Sequence, residues 1–296
     1  MIEAELEHEV VLVESFDGTK IAARAMGAGE GMPLLVVNAV GANLAIWRRA
    51  LIDVARVRPV VTWDHRGLYS SGPPVSDRMD ARAHAEDALA VMDHLGHEGF
   101  ALVSWSNGSR IALEIAYDNP DRCRSLLLVS GGHGHPMTRS LKLEVASLLP
   151  VVASVAKYFG PAVGAALRRL LGRPELTGLI RQSGLVGATA DTTALIELLR
   201  GIAECDQSIF LRSFQEVVGD SAIDLLGDIT VPAMLIGGDH DQFVSRSLLE
   251  ETACGLGGAP VVIYEGATHY LPIEFPARLS NDLRSFLDAS GGPQPE

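Results

Sequence analysis

No apolar run in this chain is long enough to cross a bilayer. The longest, Ala146 to Ala156, falls well short of the roughly 20 residues that a hydrocarbon core requires. Positive charge is also scarce: 24 Lys and Arg stand against 37 Asp and Glu, a formal net charge of −13, and no basic cluster exceeds pairs such as Arg48-Arg49 and Arg168-Arg169. A surface of that sign gives phosphate backbones and anionic lipid no electrostatic reason to bind, so neither nucleic acid nor a membrane is an expected partner. Cysteine is sparse. Cys123, Cys205 and Cys254 are odd in number, far apart and in no metal-ligand spacing, which excludes a disulfide framework and fits free thiols in a reducing compartment. The first residues, Met-Ile-Glu-Ala-Glu-Leu-Glu, are acidic where a signal peptide is basic and then apolar. A cytoplasmic protein is the expectation. Internal repeats are lacking too, and residues 291–296 read as a disordered tail.

What is present is core-forming material, 47% hydrophobic over 296 residues, enough to bury a large interior. Short continuous apolar runs occur at Leu34-Val37, Val60-Trp63, Phe100-Val103, Leu126-Val129, Ala233-Ile236 and Val261-Tyr264. Runs of this kind are strands buried on both faces. Helical patterns such as Ala81-Leu95 and Leu279-Leu287 separate them, so the expected fold class is α/β: a mostly parallel, doubly wound sheet with helices on both faces. Val10-Glu14 and Ile21-Ala25, flanking Asp17-Gly18, read as an antiparallel hairpin at the sheet's edge. The alternation breaks once. From about Pro136 to Leu226 the strand signal disappears, while Leu141-Leu149, Ala162-Leu171, Thr192-Arg200 and Ser208-Val218 all read as helices. The expected organisation is a core of residues 1–135 and 227–290 with a helical cap of residues 136–226. Broad apolar faces on the cap helices point to a hydrophobic ceiling over the site, although those faces could equally pack on one another and on the core.

The chemistry begins at Ser104-Trp105-Ser106-Asn107-Gly108, where an apolar strand runs straight into an amphipathic helix. A strand that reverses into a helix needs small residues on both sides of the turning residue, which then projects its side chain above the sheet. Ser106 is therefore the candidate nucleophile. In a parallel sheet, ligands bind beyond the carboxyl ends of the strands, and the same rim receives Asp241 and His269. A hydroxyl needs a base, and the base needs an acid that fixes its tautomer; Ser106, His269 and Asp241 fill those roles, with Asp239 as the competing acid. The backbone N–H groups of Val40 and Asn107 can hold an oxyanion. Asn38, Trp105 and His133 are the candidate substrate contacts. His133-x-His135 has a spacing that can bind metal, but no carboxylate or cysteine lies nearby in sequence, and the chemistry requires neither metal nor cofactor.

These motifs resemble the α/β-hydrolase fold family. Its nucleophile turn is similar to residues 104–108, its acid turn to Gly238-Asp239-His240-Asp241, and its histidine loop to Gly266-Ala267-Thr268-His269 followed by Glu274-Phe275-Pro276. Asp64-x-Arg66-Gly67 with Ser71 resembles a turn of many members. Two departures stand out: Asn38-Ala39 replaces the usual His-Gly, and Tyr69 replaces a glycine. Asn-x-x-Gly resembles the corresponding loop of the enol-lactonase branch, and a serine at 106 argues against the branches that need a carboxylate there. The resemblance implies a serine hydrolase acting on a carboxylic ester of a hydrophobic or aromatic small molecule. A lactonase, a C–C bond hydrolase, an acyltransferase and a non-catalytic small-molecule receptor are the other readings.

Overall fold

The computed structural model describes residues 8–27, 29–134 and 182–290, together with Ala165, Arg169, Gly178 and Ile180. Leu141–Leu149, most of Ala162–Leu171, His135 and residues 291–296 lie outside the described residues. Eight strands form one sheet: β1 (Glu9–Glu14), β2 (Lys20–Met26), β3 (Leu34–Val37), β4 (Val60–Trp63), β5 (Phe100–Trp105), β6 (Cys123–Val129), β7 (Ala233–Gly238) and β8 (Val261–Tyr264). Their order is β1-β2-β4-β3-β5-β6-β7-β8. The β1–β2 hairpin is antiparallel, β2 joins β4 antiparallel, and β3 to β8 run parallel. The helices are α1 (Arg48–Ala55), α2 (Ala81–His94), α3 (Gly108–Asp118), α4 (Thr192–Glu204), α5 (Gln207–Val218), α6 (Arg246–Gly255), α7 (Leu271–Glu274) and α8 (Pro276–Ser290).

Successive residues of a strand point to opposite faces, and here both faces are covered. Leu35, Val37, Leu102, Leu126 and Leu128 pack with Ala88 and Val91 of α2 and Ile111 and Ile115 of α3. Their neighbours Leu34, Val36, Val103, Leu127 and Val129 pack on the other face with Leu51 and Val54 of α1 and Leu279 and Leu283 of α8. That two-sided burial is why the central strands are uninterrupted apolar runs. Each fully buried Leu or Val is worth roughly 1.5–3 kcal/mol. Helix starts are set by short acidic or hydroxyl caps: Asp80 for α2, Asp191 for α4, Asp206 for α5 and Ser245 for α6 each accept from a backbone N–H of the first turn.

The turn after β4 is tied down by charge. Arg66 is fully buried; its Nε and Nη2 donate to the two oxygens of Asp87 on α2 at 2.9 and 2.6 Å, and Nη1 donates to Asp17 of the hairpin turn at 3.0 Å. One guanidinium thus fastens three chain segments. Arg66→Leu strands the buried Asp87 carboxylate, and a loss of about 3–5 kcal/mol is expected, read as a lower urea midpoint at unchanged slope. A loss below about 1 kcal/mol would show that the carboxylate escapes to water.

Candidate active site

Strand β5 delivers Ser106 to the carboxyl edge of the sheet in a left-handed backbone conformation, φ 57°. Such strain in a residue with a Cβ persists only where its surroundings over-determine it, and they do. The Ser106 N–H is held by Val129 O of β6 at 3.0 Å, and helix α3 begins two residues later. At Gly108 a Cβ would lie 2.4 Å from Asn38 O, so only glycine lets α3 pass this close to the end of β3. Ser104 is fully buried, and its hydroxyl is satisfied by the Ser109 hydroxyl at 2.9 Å.

His269 reaches this serine from the loop after β8. Its Nε2 lies 2.8 Å from Ser106 Oγ, and its Nδ1 lies 2.9 and 3.1 Å from the Asp241 oxygens. A carboxylate can only accept, so the Nδ1 nitrogen carries the proton and Nε2 presents a lone pair to the serine hydroxyl. Asp241 is itself fixed: its Oδ1 accepts from the N–H groups of Phe243 and Val244 at 2.8 and 2.9 Å. Asp239 and His240 are exposed, and their backbone N–H groups donate to Tyr264 O and Ala267 O. The imidazole sits among the rings of Phe243 and Trp105, at 5.0 and 5.5 Å between centroids, and the backbone carbonyl of His269 accepts from Trp105 Nε1 at 2.9 Å. Buried Glu274 anchors the loop from below, accepting from the Thr268 N–H and from the Gly187 N–H of the segment leading to α4, each at 2.8 Å. Its identity as a brace is invisible in sequence spacing alone.

The segment after β3 is a tight turn, closed by Ala42 N–H donating to Ala39 O at 2.8 Å, with Gly41 in the left-handed region at φ 82°. A Cβ at Gly41 would meet the Phe210 ring of α5 at 2.4 Å. Tyr69, the residue standing where the family has glycine, takes a left-handed φ of 51° and donates its hydroxyl to Gly41 O. Its departure from the pattern therefore buttresses this turn. The Val40 N–H donates to Asn107 Oδ1 at 2.8 Å.

Over Ser106 lies a cavity of about 230 Å³, bounded by Leu198, Leu199 and Ile202 of α4, by Phe210, Phe214 and Val218 of α5, and by Trp105, Phe243 and Tyr270. No Lys, Arg, Asp or Glu among the described residues lines it. Burial, with the nearby Asp241 and Glu274 charges, pushes the Tyr270 hydroxyl up to about 12, so it stays a donor at neutral pH.

Of the expected substrate contacts, Trp105 lines this cavity and two residues do not. Asn38 is buried behind the turn, donating through Nδ2 to Thr62 Oγ1 at 2.8 Å. His133 is directed to Ser221, with Nδ1 3.0 Å from its Oγ, and to Glu251. The chain turns at Ser130, φ 45°, and runs through Gly131 and Gly132, which carries residue 133 off the rim. His65, also just past a strand end, is core: burial pushes its pKa down to about 4. Among the described residues no three His, Cys, Asp or Glu side chains gather into a metal site, and no helix is long and apolar enough to cross a membrane.

The sheet order, the strained serine between β5 and α3, and the histidine loop after the last strand define an α/β hydrolase. A sequence profile of the α/β hydrolase fold matches residues 32–276, and the chain belongs to that family, which supports hydrolytic activity. Among relatives, 2-hydroxymuconate semialdehyde hydrolase of Pseudomonas sp. strain CF600 is 32% identical over 266 residues, covering 88% of this chain and 88% of that protein. RutD of Caulobacter vibrioides is 33% identical over only 98 residues, so the match spans 33% of this chain and 36% of that protein. The enol-lactonase of Burkholderia xenovorans LB400 superposes with a TM-score of 0.76 at 19% identity, over 94% of this chain and all of that one, a likeness of fold.

Proposed function

We propose that the protein is a serine hydrolase that cleaves a carboxylic ester of a neutral, hydrophobic or aromatic small molecule through an acyl-enzyme. The observation that carries this reading is the unbroken chain Ser106 Oγ, His269 Nε2, His269 Nδ1, Asp241, with contacts of 2.8 and 2.9 Å, beneath a cavity that no Lys, Arg, Asp or Glu among the described residues lines. Ser106 Oγ attacks the ester carbonyl while His269 Nε2 takes its proton. The imidazolium so formed is stabilised by Asp241 and returns the proton to the leaving alcohol. Water, deprotonated by the same nitrogen, then releases the acid. Negative charge on the tetrahedral oxygen is held by the N–H of Asn107, at the start of α3, and by the N–H of Val40. No step needs a cofactor or a metal. In this reading α4 and α5 form part of a helical cap whose apolar underside selects the acyl group.

The cavity sets the test. At about 230 Å³ it lies under the roughly 300–1,000 Å³ of sites for drug-sized ligands, so a modest acyl group fills it. Along a series of nitrophenyl esters, kcat/KM should rise about fourfold per methylene, the equivalent of ~0.8 kcal/mol per buried CH₂, until the cavity is full. A succinate half-ester should be rejected, because no Lys or Arg among the described lining residues offers its buried carboxylate a partner. A flat length profile, or a preference for the succinate, would remove the apolar-substrate reading. The 32%-identical relative favours one second reading, hydrolysis of a C–C bond on the same residues. Product analysis on β-diketones against esters separates the two.

A further inference from the structure

The hydrogen bond from the Val40 N–H to the Asn107 side chain conflicts with the role that the proposed mechanism gives the same N–H. We infer that the Asn107 carboxamide is a built-in competitor for the oxyanion site, holding the Val40 donor in the resting enzyme and yielding it only to an oxygen that carries developing negative charge. The inference rests on the serine-hydrolase reading above and adds a residue that controls when its oxyanion site is open.

Four observations carry it. First, the amide orientation is fixed chemically: the Val40 N–H can only donate, so the Asn107 atom 2.8 Å away is the oxygen and not the nitrogen. Second, Asn107 occupies the N-cap position of α3 yet makes no side-chain cap hydrogen bond. Asparagine is among the best capping residues, and here its carboxamide is directed to the turn after β3 instead. Third, the turn does not depend on Asn107 for its shape. Ala42 N–H to Ala39 O, the Tyr69 hydroxyl on Gly41 O, and Phe210 against Gly41 hold it from other directions. Moving the Asn107 side chain therefore leaves the Val40 donor in place. Fourth, Asn107 is only half-buried and borders the cavity, so a rotation about χ1 has room and leaves its own backbone N–H aimed where it was.

The competition discriminates between states of the substrate. A neutral ester carbonyl is no better an acceptor than the amide oxygen already in place, so little is gained by exchange in the ground state. The tetrahedral oxyanion forms charge-assisted hydrogen bonds about twice as strong and displaces the amide. The side chain thus withholds one donor from bound substrate and releases it to the transition state, so its cost of about one neutral hydrogen bond falls on kcat/KM and leaves kcat little changed.

The test uses the full-length enzyme, an acetate aryl ester, and a trifluoromethyl ketone whose adduct with a serine places an oxyanion in the site. Asn107→Ala removes the competitor; kcat/KM should rise about three- to tenfold, and the ketone should bind tighter by a similar factor, the equivalent of one neutral hydrogen bond. Asn107→Asp keeps the size but replaces the competitor with a charged one that also repels the oxyanion, and kcat/KM should fall at least about a hundredfold. Labelling by a phosphonate is followed in parallel. If Ser106 labels in the wild type but Asn107→Ala is slower or unchanged, the side chain is a brace or a donor and the inference is overturned. If Ser106 does not label in the wild type, the serine-hydrolase reading fails first.

Discussion

Replacing Ser106 with alanine is expected to lower kcat for a short aryl ester by a factor on the order of 10⁶, with KM little changed. The size follows from how the groups act. Once Oγ is gone, the His269 lone pair has nothing to deprotonate and Asp241 nothing to orient, so removing one member forfeits the contribution of all three and leaves only the oxyanion donors and substrate binding. Folding should survive, because among the described residues the side-chain hydrogen bond of Ser106 is the one to His269, while the contacts that force the strained turn, Gly108 against Asn38 O and the Ser106 N–H on Val129 O, come from backbone and are kept. An organophosphonate should add one equivalent of mass at Ser106. The neighbouring Ser104 and Ser109 are fully buried and bonded to each other, so a label on either would mean that the turn is opened in solution. Turnover within tenfold of the wild type would remove the covalent mechanism.

The features visible in the sequence are those that packing forces upon it. A strand covered on both faces must be apolar at every position, so β3 and β4, with all four residues buried, stand out without any periodicity. The serine turn is visible for the same kind of reason: Gly108 has backbone against it on the side where a Cβ would point, and no other residue fits. Helices α1 and α6 are harder to read. The buried stripe of α6 includes Thr252, which donates to Leu248 O, and a hydroxyl satisfied inside its own helix looks in sequence like a surface position.

What spacing cannot reveal is the direction of a side chain. Asn38, Asp64 and His133 all follow strand ends, yet Asn38 braces Thr62, Asp64 pairs with Arg24, and His133 is carried to Ser221 by a turn that begins at Ser130. A strand end fixes where the backbone is, and two further dihedral angles decide what its side chain meets. Asn107 shows the limit most sharply. Its place in the turn between β5 and α3 is evident, but that its oxygen lies on the Val40 N–H depends on a rotamer that no pattern encodes. Tyr69 is the converse: a departure from the family pattern that becomes intelligible only when its hydroxyl is seen on Gly41 O.

The choice between Asp241 and Asp239 turns on the same geometry, and it can be tested with substitutions that change one atom. In Asp241→Asn the oxygen that accepts from the Phe243 and Val244 N–H groups at 2.8 and 2.9 Å must remain an oxygen, since both partners donate. The new NH₂ is therefore forced into the position of Oδ2, 2.9 Å from His269 Nδ1. Two donors cannot face each other, so the ring proton moves to Nε2. There it points at the Ser106 hydroxyl, and the nitrogen can no longer accept the serine's proton. Loss of kcat by about 10⁴ is expected, with the melting temperature nearly unchanged because both backbone hydrogen bonds survive. Asp239→Asn, at an exposed position, should cost less than about threefold, the scale of a screened surface charge. The measurement is kcat/KM for the acetate ester in both variants, with Ser106 titrated by phosphonate to count competent sites. A larger loss at Asp239 would transfer the acid to that residue and require the loop after β7 to rearrange when substrate binds. Equal small losses would mean that His269 holds its tautomer without a carboxylate, and the proton path proposed here would be wrong at its last link.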